Sequence, residues 1–159
     1  MERLLPIDED YYLWLLLVQT RRAVLKVREK ELRRYDIRAP QSGVLFAIQL
    51  TGDGATPGQI ARLLFREHHT VWELLGRMAN HGLVRKVKDL DRKNLVRVVL
   101  TEKGRQAYYQ SLKRESIHKV FSSLSGEQRR QLRSCLETLR HKALEELSLA
   151  KKMPLPPAP

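Results

Sequence analysis

His68, His69, Thr70, Trp72, Glu73 and Arg77 crowd one short stretch, HHTVWELLGRMANHG. Hydrogen-bond donors, one carboxylate and a large aromatic at this spacing suit contact with a nucleic acid. At a helix start, His69 and Thr70 can reach phosphates or base edges, and the positive helix end adds attraction. Arg77 suits a phosphate or a guanine, with a solvated charge as its plain alternative. Glu73 can accept a hydrogen bond from cytosine N4. Trp72 can pack on a thymine methyl or a sugar, or tuck under a neighbouring loop. The pair His68-His69, with Glu67 and Glu73, also has metal-ligand types. No cysteine lies near and no ligand spacing repeats, so zinc is disfavoured and no cofactor is expected. There is no phosphate-cradling glycine loop and no nucleophile elbow, so catalysis is not expected either.

The elements that must hold these residues can be read on both sides of them. TPGQIARLL reads as a helix opened by Thr56 as cap, Pro57 at the first helical position and Gln59 completing a capping box. Val71, Leu74, Leu75 and Met78 repeat at helical spacing and define the buried side of the next helix. Gly82 stands where a left-handed helix stop is expected. Leu83 to Lys88 and Leu95 to Leu100 then read as a hairpin. Its tip is Asp89-Leu90-Asp91-Arg92-Lys93-Asn94, and its basic residues are expected to point outward. Thr56 to Thr101 is therefore a helix-turn-helix followed by a wing, an arrangement that places one helix in the major groove of DNA.

Longer helices flank this unit. Asp8 can cap a helix that runs without Gly or Pro to about Tyr35. Its first half, YYLWLLLV, is apolar on every side and needs cover all round, which a partner subunit or the centre of a monomeric bundle can supply. Pro40 suits the first turn of a second helix through about Leu50. After the wing, Thr101 caps a helix expected to continue to about Leu124. Ser125-Gly126-Glu127-Gln128 opens the last one, with a stripe at Leu132, Leu136, Leu139, Ala143 and Leu147. The segment KKMPLPPAP is proline-rich and expected to be disordered or extended.

Composition fits this reading. The 159 residues suffice for one domain with a core, and 42% are hydrophobic. Thirty Lys+Arg against eighteen Asp+Glu give +12, which favours polyanionic partners: nucleic acid first, an acidic membrane surface second. The longest apolar run, Tyr11 to Val18, is too short to span a bilayer, so no membrane role is expected. The single Cys135 cannot form an intrachain disulfide, and a cytoplasmic setting is expected.

The chain resembles the MarR-type winged helix-turn-helix transcription regulators over about residues 8 to 148. The resemblance rests on Gln59-Ile60-Ala61, Thr70-Val71, Gly82-Leu83-Val84, Asp91-Arg92-Lys93 and, most distinctive, Leu100-Thr101-Glu102-Lys103-Gly104. It implies a mainly α fold with a small β-wing (α+β), as one structural domain. Within it, residues 1–37 and 102–149 supply dimerisation helices, 38–101 the DNA-binding region and 150–159 the tail. It implies a homodimer on double-stranded DNA, a recognition helix in each of two successive major grooves and a wing in each flanking minor groove. It also implies a repressor released by a small aromatic ligand, for which Tyr11, Tyr12, Trp14 and Trp72 are pocket candidates. Three features depart from the pattern. Trp72 and Glu73 replace the usual Ser or Thr followed by Arg. The wing is one residue longer than the commonest form, so the minor-groove cation is Arg92 first, Lys93 second and Arg97 third. Cys135 lies in the last helix, where a buried structural thiol is favoured over a redox switch. The expected function is a dimeric, sequence-specific regulator. The alternatives are a protein-interaction module and a non-specific nucleoid-associated protein of the same fold.

Overall fold

The computed structural model describes residues 6–52, 54–89 and 91–149. The proline-rich segment 150–159, Asp53 of the expected turn and Leu90 of the hairpin tip lie outside the described residues.

Helix α1 spans Glu9–Leu32 and begins where Asp8 Oδ1 accepts the Tyr11 amide at 2.8 Å. Glu9 and Asp10 occupy its first turn, where acidic groups oppose the positive helix end. Tyr11, Tyr12, Leu13, Trp14, Leu16 and Leu17 are each about half exposed. The chain's own residues leave this apolar half of α1 uncovered, so it is not the centre of a monomeric bundle. The other end of α1 is buried at Glu31 and Leu32 and runs into a 3-10 turn, Arg33–Tyr35. Helix α2, Ala39–Thr51, follows, and its first amide, from Ala39, donates to Glu29 Oε1 at 2.9 Å.

Helix α3 spans Pro57–Leu64, held by the reciprocal pair Gln59 N to Thr56 Oγ1 (3.2 Å) and Thr56 N to Gln59 Oε1 (2.9 Å). It stops at Phe65, which turns left-handed. Helix α4 spans His68–Asn80 and buries Val71, Leu74, Leu75 and Met78, as their spacing requires. Gly82 follows with φ +71, a conformation that costs a glycine nothing. Strands β1 (Val84–Lys88) and β2 (Val96–Leu100) pair antiparallel with Val84 opposite Leu100 and Lys88 opposite Val96. Each begins one residue later than its apolar pattern suggests. Ala55 adds a bridge to Val98 on the free side of β2, with bonds of 3.0 and 2.8 Å, and so ties the approach to α3 to the wing.

Helix α5 spans Glu102–Ser111 and α6 spans Glu115–Phe121. The sequence reading of one helix from Thr101 to about Leu124 is corrected here. The break falls at Arg114, whose φ is +51, and no Gly or Pro marks it. Its cause is tertiary. The Glu31 carboxylate reaches from α1 and accepts the Glu115 amide at 2.8 Å, the Ser116 amide at 3.3 Å and the Ser116 hydroxyl. Three donors at a new helix start are thereby satisfied by a side chain 84 positions earlier. Helix α7, Gly126–Glu146, opens on the Ser125–Gln128 capping box. Its stripe residues Leu132, Leu136, Leu139 and Leu147 are exposed, as is Cys135. Cys135 is thus not buried within its own chain, contrary to the sequence reading.

One core joins these parts. Leu32, Ile37, Val44, Leu45, Ile60, Val71, Leu75, Met78 and Val98 are its fully buried large side chains. Each stabilises the fold by roughly 1.5–3 kcal/mol relative to exposure. The residues come from α1, the loop before α2, α2, α3, α4 and β2, so the reading unit is built directly on the end of the long helix.

Candidate nucleic-acid interface

The sequence LTEKG after the wing closes the reading unit through two atoms. Thr101 Oγ1 accepts the Gly104 amide at 3.0 Å and donates back to the carbonyls of Gly82 and Leu83. The Thr101 amide donates to Leu83 O at 3.2 Å. A side chain on Gly104 would place its Cβ 1.9 Å from that same Leu83 oxygen. Only glycine lets α5 start this close to the strand leaving α4. The end of the recognition helix, the root of the wing and the start of α5 are therefore one rigid joint.

From that joint α4 presents one face. Val71, Leu74, Leu75 and Met78 point inward, leaving His68, His69, Trp72, Glu73, Arg77 and Asn80 exposed and Thr70 half-buried. The His69 ring lies 3.4 Å from Thr70 Oγ1 at the first turn of α4. Trp72 is 41% exposed yet engaged: His68 stacks near its ring at 6.5 Å between centroids, and Lys86 Nζ of β1 sits 4.1 Å from the indole centroid. Of the roles open to this tryptophan, packing under a neighbouring element is the one the geometry displays. Glu73 and Arg77 are left as the free charged groups on this side of α4 whose partners are not drawn from the described ion pairs.

The wing is ordered from inside by Asp89. Its Oδ1 accepts the amides of Asp91 (2.9 Å) and Arg92 (3.0 Å), folding the tip back on itself. Its Oδ2 accepts Arg97 Nε at 2.6 Å. The Arg97 hydrogen bond, then the Asp91 amide, hold the Asp89 carboxyl below its ordinary pKa. Arg97 also donates to Gly54 O at 3.4 Å. Its guanidinium is thus occupied in holding the wing, whereas Arg92 and Lys93 stand exposed at the tip. Sequence reasoning did not single out Asp89. The signal was present, because an aspartate opening a polar loop commonly folds amides two and three residues on.

Tyr11, Tyr12 and Trp14 stand on the uncovered half of α1, the rings of Tyr11 and Trp14 tilted at 32° with 5.3 Å between centroids, while Trp72 packs at the α4–β1 junction. The structure does not bring Trp72 together with the three aromatics of α1. Two clefts form elsewhere. One, of about 540 Å³, lies at the α3–α4 turn between Ala61, Arg62, Phe65, Arg66 and Leu149. The other, of about 440 Å³, lies between the start of α2 and α5, lined by Tyr35, Arg38, Gln41, His81, Lys103 and Gln106. Among the described residues no group of His, Cys, Asp and Glu has a metal-binding arrangement, and no helix is long and apolar enough to cross a membrane.

A helix-turn-helix with an exposed recognition face, joined rigidly to a two-stranded basic wing, defines a winged helix-turn-helix protein. The family model described as "MarR family" matches residues 35–93. The organohalide-sensing RdhR transcriptional regulator bound to 2,4-dichlorophenol is 27% identical, with 96% of this chain and 90% of that chain covered and a TM-score of 0.86. Its ligand-free form is 26% identical, covers 100% and 99%, and has a TM-score of 0.87. A mutant MarR from E. coli complexed with operator DNA shares the fold at 20% identity, 84% and 96% coverage and a TM-score of 0.77. No curated protein matches the sequence. The chain is thus similar to the MarR family over residues 35–93 and to the RdhR transcriptional regulator over nearly its whole length.

Proposed function

We propose that the protein is a homodimeric, sequence-specific transcriptional repressor that binds a near-palindromic operator. The observation that carries this reading is the exposed face of α4, fixed by the Thr101–Gly104 joint beside a wing whose tip displays Arg92 and Lys93. Each α4 enters a major groove, where Glu73 and Arg77 meet base edges and His69 and Thr70 meet phosphates near the helix start. Each wing sends Arg92, with Lys93 beside it, to the flanking minor groove. The uncovered apolar surfaces of α1 and α7 are the subunit contact, which spaces the two recognition helices by about one turn of DNA. Bare leucines, tyrosines and a tryptophan in such number are otherwise a liability in water.

Release by a small aromatic ligand completes the proposal. RdhR is described with 2,4-dichlorophenol bound. In this chain the cleft between α2 and α5 has the volume for a small aromatic acid, with Arg38 and Lys103 at its wall.

Selection of bound sequences from random DNA, with the mass of the complex measured alongside, tests the reading. A two-fold symmetric consensus bound by two chains is expected. Equal affinity for all sequences would sink the repressor and leave a nucleoid-associated protein. A stoichiometric protein partner, with DNA retention indifferent to Arg77→Ala and Arg92→Ala, would point to an interaction module.

A further inference from the structure

Trp72 sits in the middle of the face that meets DNA, yet its ring is already in use. Lys86 Nζ stands 4.1 Å from the indole centroid, within the range of a cation–π contact, and tryptophan is the best partner for one. His68, one turn earlier on α4, stacks near the same ring at 12° between planes. Lys86 lies in the middle of β1, opposite Val98, the fully buried residue of β2 that Ala55 also bridges. The strand that Lys86 pairs with is therefore itself held on both sides, by β1 and by Ala55. A free lysine side chain is among the most mobile in a protein, and immobilising it on binding costs affinity. One held against an indole has lost part of that freedom before any ligand arrives.

Resting on the DNA-binding reading above, we propose that Lys86 is a phosphate-binding residue at the junction of recognition helix and wing, and that Trp72 is its positioning residue and not a reader of bases. The ammonium keeps its outward side for a phosphate oxygen of the strand between the major groove entered by α4 and the minor groove met by the wing. The indole face supports it from beneath and links α4 to β1, so both reading elements approach the backbone as one piece. A bulky aromatic at a position that would otherwise read sequence is thereby accounted for. Base reading falls to Glu73 and Arg77.

A double-mutant cycle on the full chain with its selected operator tests this. Lys86→Ala weakens binding to all sequences alike and lowers the slope of log K against log salt by about 0.9 for each subunit. Trp72→Leu keeps an apolar side chain but removes the π face, and lowers affinity about 2- to 5-fold per subunit. Trp72→Phe restores most of that loss, since a ring is kept. In the Lys86→Ala background, Trp72→Leu costs nothing further. Base preferences in random-sequence selection are unchanged for Trp72→Phe and Trp72→Leu. Additive losses from the two substitutions, or an altered consensus for Trp72→Leu, would overturn the inference while leaving the operator-binding reading intact. A wild-type protein without sequence preference would overturn that reading and this inference with it.

Discussion

Arg97 Nε and Asp89 Oδ2 lie 2.6 Å apart across the base of the wing, with the Asp89 side chain almost fully covered. This pair divides the basic residues of the wing into two groups. Arg97 holds the loop, and Arg92 and Lys93 are left at its tip.

Substitution of Asp89 by Asn should loosen the wing without unfolding the core. Amide exchange at residues 84–88 and 96–100 should rise, and α2 should be unaffected. Arg97→Ala should weaken DNA binding by the same route, with little change in salt slope. Arg92→Ala should lower that slope by about 0.9 per subunit. Equal slopes for the two arginine variants would contradict this division. Because the Asp89 carboxyl is held below its ordinary pKa, first by Arg97, the tie is complete above the ordinary aspartate value. It is lost only as pH falls through the lower, folded one.

Glu31→Ala should destabilise the fold by roughly 3–5 kcal/mol, because it removes the carboxylate partner of a mostly buried Arg28 guanidinium, which keeps the Ser111 carbonyl, and leaves the α6 amides without their acceptor. Chemical denaturation measures it, and a cost near zero would refute the role of this cap. Glu31→Gln keeps an acceptor and should cost less. Burial alone would raise the Glu31 carboxyl. The hydrogen bonds from the Ser116 side chain, Arg28 and the Ser116 amide outweigh it and hold the group below the ordinary glutamate range. The folded pKa lies under the unfolded one, so this stability is whole above the unfolded value and drains away as pH drops through the folded value. The wild type should therefore lose more stability on acidification below the ordinary glutamate range than Glu31→Gln does.

Gly104→Ala should be among the costlier single-methyl additions in the chain. Its Cβ would meet Leu83 O at 1.9 Å, and the obstacle is backbone that cannot rotate aside. A loss of roughly 1–3 kcal/mol or more is expected from such overpacking, read as a lower denaturation midpoint. DNA affinity should fall further than stability alone predicts, because the joint orients the wing. An unchanged midpoint would mean that α5 does not start this close to β1.

Leu16→Asp and Leu139→Asp each place a charge on an apolar surface that the chain leaves bare. Sedimentation equilibrium should show twice the chain mass for the wild type and a single chain mass for the variants. The helical content should be kept, because neither residue belongs to the monomer's core. A monomeric wild type would remove the subunit contact from the proposed function.

Much of this architecture was legible in order along the chain. Thr56, Gln59, Ser125 and Gln128 announce helix starts because their hydrogen bonds close within three residues. The Val71-Leu74-Leu75-Met78 stripe identifies the buried side of α4, and hence the exposed side, because helical period alone sets it. The four pocket aromatics were not legible as a group, since whether Trp14 and Trp72 meet depends on how α1 crosses α4. What Trp72 does was likewise hidden: its partner Lys86 is fourteen positions away, on a strand whose register brings it over the ring.

The sequence by itself determined the local elements, the positive charge and the face α4 offers, because these depend on neighbours a few residues apart. Tertiary structure alone decided which charges remain available. Glu31 breaks one expected helix into α5 and α6 from 84 positions away. Asp89 engages the Arg97 guanidinium, and Lys86 takes up the indole of Trp72. A side chain's free valence depends on what the fold places within about 3–4 Å of it, and no spacing rule encodes that distance.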